Sequence, residues 1–276
     1  MGLRVISSRN VLCPLLTVVG LIGGFVLRTP AEHLSFTSKD PLLGPRVGLK
    51  SLWVGSLQAS PSTKFLILAG HADSQGLAGA GTAGEAVDIK GKRPMDSLIS
   101  DELYWNFLML DAIVRIGREK GLNISSYDPG VRNIDDGNHP ITNWSVGAKH
   151  AIEGTYVLEI HFDSYGEYGF GSGLIPAITR NLNSIDESLA NSFGRYPMFF
   201  RGGLGAPKRG IRILEIGKLE GKLEKGLRDI NSRENIINKI ALKVVNALSL
   251  GVNNYHYNNS NQQLDAGDIS RPGSHH

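Results

Sequence analysis

This chain of 276 residues predicts an α/β fold, a single domain with a mainly parallel, helix-flanked sheet. Three observations carry that reading. Lys64-Phe-Leu-Ile-Leu-Ala69 is a short apolar run that stops at Gly70, the pattern of a parallel strand buried on both faces. Thr155 to Asp163 alternates strictly, with Tyr156, Leu158, Ile160 and Phe162 on one face and Val157, Glu159, His161 and Asp163 on the other. Apolar residues at helical spacing fill the stretches after these runs, and strands alternating with helices imply a parallel sheet.

Taken in order, the chain opens on an uncharged run of 17 residues, Val11 to Leu27, with Arg4 and Arg9 before it and Arg28 after it. Such a segment reads as a signal peptide or a membrane anchor over residues 1–28, with the remainder on the outer side of the membrane. Residues 29–50 are broken by prolines and read as a tether, and the folded domain is expected over 51–251. Ser51 to Leu57 forms a candidate extra strand ahead of the run at Lys64. A long helix follows, capped by Ser100, with Asp101 and Glu102 at its positive end, Leu103, Phe107, Leu110 and Val114 on one face, and Gly121 beyond it. Ser184-Ile-Asp-Glu187 has the spacing of a capping box, Ile211 to Ile216 reads as a further strand, and a last helix runs from near Asn231 to Gly251. Residues 252–276 are rich in Asn and Gln without apolar period and read as a disordered tail.

Composition narrows the function. Hydrophobic residues make up 41% and charged residues 20%, enough to build a core. A net charge of +3 is too small for a chain whose main task is electrostatic binding of nucleic acid. Cys13 is the single cysteine, so the chain can form no internal disulfide and no thiolate zinc site. Any metal must be held by histidine and carboxylate.

Ligands of open α/β sheets bind beyond the carboxyl ends of the strands. His71, His161 and Glu215 each follow an apolar run at such an end, whereas His33, His139 and His150 do not. Two imidazoles with a carboxylate are the ligands of a catalytic zinc that keeps one position open.

Four ordered motifs then carry a family resemblance: Gly70-His71 after a strand, Glu102-Leu-Tyr-Trp-Asn106-Phe107 opening a long helix, Glu159-Ile-His161, and Ile213-Leu-Glu215-Ile-Gly217. Together they resemble the zinc-dependent N-acetylmuramoyl-L-alanine amidases, over about Lys64 to Gly251. The resemblance implies a phosphorylase/hydrolase-like α/β fold, Zn2+ held by His71, Glu102 and His161, and Glu215 as the catalytic carboxylate. It implies hydrolysis of the amide between N-acetylmuramic acid and L-alanine in peptidoglycan, on the extracytoplasmic side of a bacterial cell envelope. The protein would be secreted, or held at the inner membrane through residues 11–27. The chain departs from the family pattern at Ala72-Asp73, at Asp163, and in a longer loop from Ala72 to Asp101. That loop brings in Glu85 as an alternative second ligand. Glu159, Asp163 and Asp73 are candidate acceptors for the outer nitrogens of the ligand imidazoles.

Two other functions stay open at this level. Gly79-Ala-Gly81-Thr-Ala-Gly84 matches a dinucleotide fingerprint with acids about 20 residues on, which suggests an oxidoreductase, although the loop lies too far past its strand for the usual tight turn. A wall-binding module without metal would keep the sheet and lose the site.

Overall fold

A computed structural model describes residues 35–48 and 53–267, with side chains over 39–48 and 53–253. The segment Val11 to Leu27 and the last nine residues lie outside it. The elements run β1 (Ser35–Asp40), β2 (Gly44–Gly48), β3 (Phe65–Ala69), α1 (Glu85–Asp88), α2 (Asp101–Glu119), β4 (Ile124–Tyr127), α3 (Asn143–Ile152), β5 (Tyr156–Asp163), β6 (Gly173–Ile175), α4 (Ser184–Phe193), α5 (Gly205–Lys208), β7 (Arg212–Lys218), α6 (Gly221–Arg228) and α7 (Arg233–Gly267).

Five strands form one sheet in the order β4-β3-β5-β7-β6, parallel except for β6 at the edge. The alternation read in Thr155 to Asp163 decides how the layers form. Tyr156, Leu158, Ile160 and Phe162 point into the larger core with Phe65, Ile67, Leu103, Ile113, Leu189 and Val245, so α2, α4 and α7 cover that face. Val157 points the other way, with Leu66, Leu68, Ile211 and Ile213, toward α3 and α5. β3 is therefore apolar on both faces, as a buried parallel strand is, while the second face of β5 and β7 is apolar at its start and ionisable toward its carboxyl end.

Helix α2 starts where its sequence signals place it: Ser100 accepts from the Leu103 N–H, and Asp101 and Glu102 fill the first turn. The box in α4 is shifted by one residue. Asn183 is the N-cap and Asp186 reaches back to the Asn183 N–H, while the Ser184 hydroxyl accepts from Ala59 and donates to the Gly251 carbonyl.

Residues 29–50 are not simply a tether. They contain the β1–β2 hairpin, whose turn is organised by Asp40, a carboxylate that accepts from Leu42 and Leu43 and pairs with Lys243 of α7 at 2.8 Å. Leu43 and Val47 are buried, and Val47 bonds Ser172 and Arg195. Of the prolines that suggested a tether, Pro41 sits in the turn and Pro45 near the start of an edge strand, where no ladder N–H is required of them. Ser51 to Leu57 makes no regular strand over its described residues, only a bridge from Leu57 to Asn183.

The last helix does not stop at Gly251, and α7 runs to Gly267 through the stretch read as a tail. Gly251 is a packing residue: a Cβ there would lie 2.5 Å from the Ile185 Cα of α4. Among the described residues, Arg233–Asn253 is long and apolar enough to cross a membrane by length and composition. Half of that stretch is buried in the fold against α2 and α4, as a core helix would be.

Candidate metal centre

Strands β3, β5 and β7 are adjacent and parallel, so their carboxyl ends share one edge of the sheet. His161 lies directly beside Glu215 in the β5–β7 register. His71 follows β3 through Gly70, and that glycine is needed for space: a Cβ would meet the His161 imidazole at 2.3–2.5 Å. His71 itself has φ +63, a left-handed conformation costly for a residue with a side chain and kept where the surroundings over-determine it. Its neighbours are held in turn. Asn106 donates to the Gly70 carbonyl at 3.1 Å, and Asn143 donates to the Ala69 carbonyl at 2.6 Å.

One carboxylate oxygen gathers the group. Glu102 Oε1 is 3.1 Å from His161 Nδ1 and 3.5 Å from His71 Nε2, and the two imidazoles meet edge to face with centroids 4.7 Å apart. One donor atom from each of His71, Glu102 and His161 lies within 4.8 Å of the others, so this group could hold a metal ion. Glu102 is buried on the first turn of α2, and its other oxygen accepts from the Thr82 N–H at 2.9 Å while its own N–H donates to the Thr82 carbonyl. Glu159, buried on β5, puts Oε1 3.5 Å from His161 Nε2. Carboxylate behind an imidazole is the arrangement that orients a ligand histidine.

Electrostatics follow from burial and from these neighbours. Burial opposes charge on His161, yet its contacts with Glu102 and Glu159 outweigh it and raise its pKa well above the ordinary value. Burial lowers the pKa of His71 against the pull of Glu102. Burial would raise that of Glu102, but the two histidines win and hold it ionised. Glu215 goes the other way: burial, reinforced by Asp163, pushes its carboxyl well above the usual range, with His161 opposing. Glu215 Oε2 and Glu159 Oε2 are buried and without hydrogen-bond partners, and His161 Nε2 is buried with only the 3.5 Å approach of Glu159 Oε1. Two imidazoles, one carboxylate and unsatisfied buried polar atoms around them are the donor set that a divalent transition metal takes.

The group opens on a cleft of about 680 Å3, a size typical of small-ligand sites. Its lining includes His71, Glu102, His161 and Glu215, together with Trp144 and the loop Gly79 to Ala83. That loop answers the fingerprint reading. Gly79, Gly81 and Gly84 all have positive φ, which glycine alone adopts freely, and the loop folds over the start of α2 so that Thr82 can bracket Glu102. Only the four-residue α1 follows it, so no long helix terminus is aimed at a pyrophosphate.

Other sequence candidates fall elsewhere. Glu85 is on α1, paired with Lys90 at 2.7 Å and accepting from Gly221, and is not a member of the metal-capable group. Asp163 accepts from the backbone of Ser164, Phe170 and Gly171, and Asp73 accepts from Asn143 at 2.6 Å, so both shape loops instead of orienting an imidazole. Sequence reasoning passed over Thr82, Asn143, Trp144 and Arg201. For Arg201 the adjacent Gly202-Gly203 was the one local signal of an unusual turn.

No family model matches the chain, and no curated protein matches it. Among solved structures it is similar to the catalytic domain of CwlV, an N-acetylmuramoyl-L-alanine amidase from Bacillus (Paenibacillus) polymyxa var. colistinus, at 17% identity over 71% of this chain and 99% of that one, with a TM-score of 0.41. The CwlD amidase from Clostridioides difficile, solved with the GerS lipoprotein, aligns at 14% identity over 71% and 99%, with a TM-score of 0.42. The amidase Ami1 from Mycobacterium abscessus, in its apo form, aligns at 15% identity over 69% and 98%, with a TM-score of 0.41. The chain is thus similar to solved N-acetylmuramoyl-L-alanine amidases.

Proposed function

We propose that this chain is a zinc hydrolase that cleaves the amide between N-acetylmuramic acid and L-alanine in peptidoglycan. The observation that carries it is the convergence of His71 and His161 on one carboxylate oxygen of Glu102, beside Glu215 with its buried Oε2 lacking a partner, where the four motifs resembling that family meet. In this reading His71, Glu102 and His161 hold the ion and Glu159 fixes the ring of His161. A zinc ion held there would supply a Lewis acid that polarises an amide carbonyl and acidifies water.

The chain's own residues supply the proton path. Glu215 takes a proton from the attacking water at its free Oε2 and delivers it to the nitrogen of the departing alanine. Thr82 and the glycine loop hold the Glu102 carboxylate toward the two histidines, where it would serve as a ligand. Peptidoglycan lies outside the cytoplasmic membrane, and the apolar segment Val11 to Leu27 is read as the element that delivers or anchors the chain on that side.

The test is incubation of the purified chain with peptidoglycan and mass spectrometry of the released peptides. Peptides bearing a free amino-terminal alanine are the expected product. Glu215→Gln keeps size and hydrogen bonding but removes the proton acceptor, so it should retain metal and lose about 10² to 10⁴ in turnover. A folded, metal-loaded Glu215→Gln protein with wild-type turnover would take Glu215 out of the mechanism. Wild-type protein that binds peptidoglycan and releases no peptide would return the reading to a wall-binding module.

A further inference from the structure

The cleft has an unbalanced lining. Among the described residues, Asp73, Asp88, Glu102, Glu159, Asp163 and Glu215 line it, against a single residue of the Lys and Arg type, Arg201. Among the described residues no carboxylate lies within ion-pair distance of Arg201.

Arg201 is also held in place at a cost. Its backbone has φ 52 and ψ 34, followed by Gly202 at φ 75 and Gly203 at φ 92, so the turn bends left-handed through three residues of which the first carries a side chain. Non-glycine residues keep such a conformation where the fold imposes it, and they gather at ligand sites. The guanidinium carbon stands 5.1 Å from the Phe200 ring and 5.4 Å from the Phe170 ring, which are themselves packed edge to face, and Nη2 donates to the Tyr168 carbonyl at 3.4 Å. The two rings flank the guanidinium, and its N–H groups other than the one bonded to Tyr168 can pair with a carboxylate.

We propose that Arg201 is the residue of the cleft that recognises a carboxylate on the peptide half of the substrate. This inference rests on the amidase reading and deepens it. Among the described residues that line the cleft, Arg201 is the one arginine or lysine available to pair with a carboxylate of the peptide. Binding there would hold the peptide half while the amide lies at the metal centre.

The experiment uses two synthetic N-acetylmuramoyl tripeptides, one with all peptide carboxylates free and one with all of them amidated. Steady-state kinetics should show the wild type preferring the free acid by about 10- to 100-fold in KM, the worth of a charge-assisted hydrogen-bond pair. In Arg201→Met that preference should disappear. A preference that persists in Arg201→Met, or none in the wild type, would overturn the proposal. Should Arg201→Met fail to fold, Arg201→Lys takes its place: the preference should shrink, since an ammonium lacks the planar fork, and an unchanged preference would overturn it. Wild type that cleaves neither substrate would count against the amidase reading instead. Arg201 would then be tested by calorimetric titration of the free tripeptide and its fully amidated form. Tighter binding of the acid that is lost in Arg201→Met supports the proposal, and equal binding of the two overturns it.

Discussion

At the scale of single residues, the site depends on atoms that are missing as much as on those present. Gly70 lets the His161 ring lie against the backbone that leads to His71, and any Cβ there occupies the imidazole's own space. Gly70→Ala should therefore move the ring of His161 off Glu102 while leaving the buried sheet intact. Metal affinity should fall by about 10- to 100-fold, the range seen when groups that orient ligands are disturbed. Competition with a fluorescent chelator would measure it, and unchanged affinity would mean that the ring is not held as the structure has it. Glu102 is fixed by Thr82 on one oxygen and the two histidines on the other, so its aim is set from both sides.

At the scale of elements, what was legible in the sequence depended on length and pattern. β5 has eight residues in strict alternation, and α2 carries a cap, an acidic first turn and 19 residues, so both could be read directly. β4 and β6 have four and three residues at or near the sheet's edges, too short for any period to register. The β1–β2 hairpin was hidden because prolines tolerated at a turn and an edge look like those of a linker. His71, His161 and Glu215 could be picked out as ionisable groups closing apolar runs, whereas Glu102 stood out only through the resemblance of the motif that it opens. Arg201 and Thr82 act through loop conformation, which leaves little trace in residue type. α4 also carries a buried ion pair that joins it to the sheet. Asp186 accepts from Arg212 Nε at 2.9 Å and from the Tyr156 hydroxyl at 2.9 Å, and it completes the cap of α4 through Asn183. Asp186→Ala would strand the buried Arg212 charge and should cost about 3–5 kcal/mol in urea unfolding. A loss below about 1 kcal/mol would show that the pair contributes little.

At the scale of the whole molecule, the fold is a two-sided platform for one edge. α2, α4 and α7 cover one face of the sheet, α3 and α5 cover the other, and the parallel strands deliver two histidines and a glutamate to the same end. The helix on the larger core then supplies Glu102 from its first turn, so the three residues that could hold a metal come from separate parts of the chain that only the completed fold brings together. Metal should for that reason stabilise the folded chain as well as arm it. The most direct measurement is elemental analysis of the purified full-length chain beside His71→Ala, Glu102→Ala and His161→Ala, each checked for folding by circular dichroism. The predicted result is one zinc per wild-type chain and loss of stoichiometric zinc in all three variants. Full zinc content in the folded variants, or none in a wild type refolded with zinc present, would contradict it.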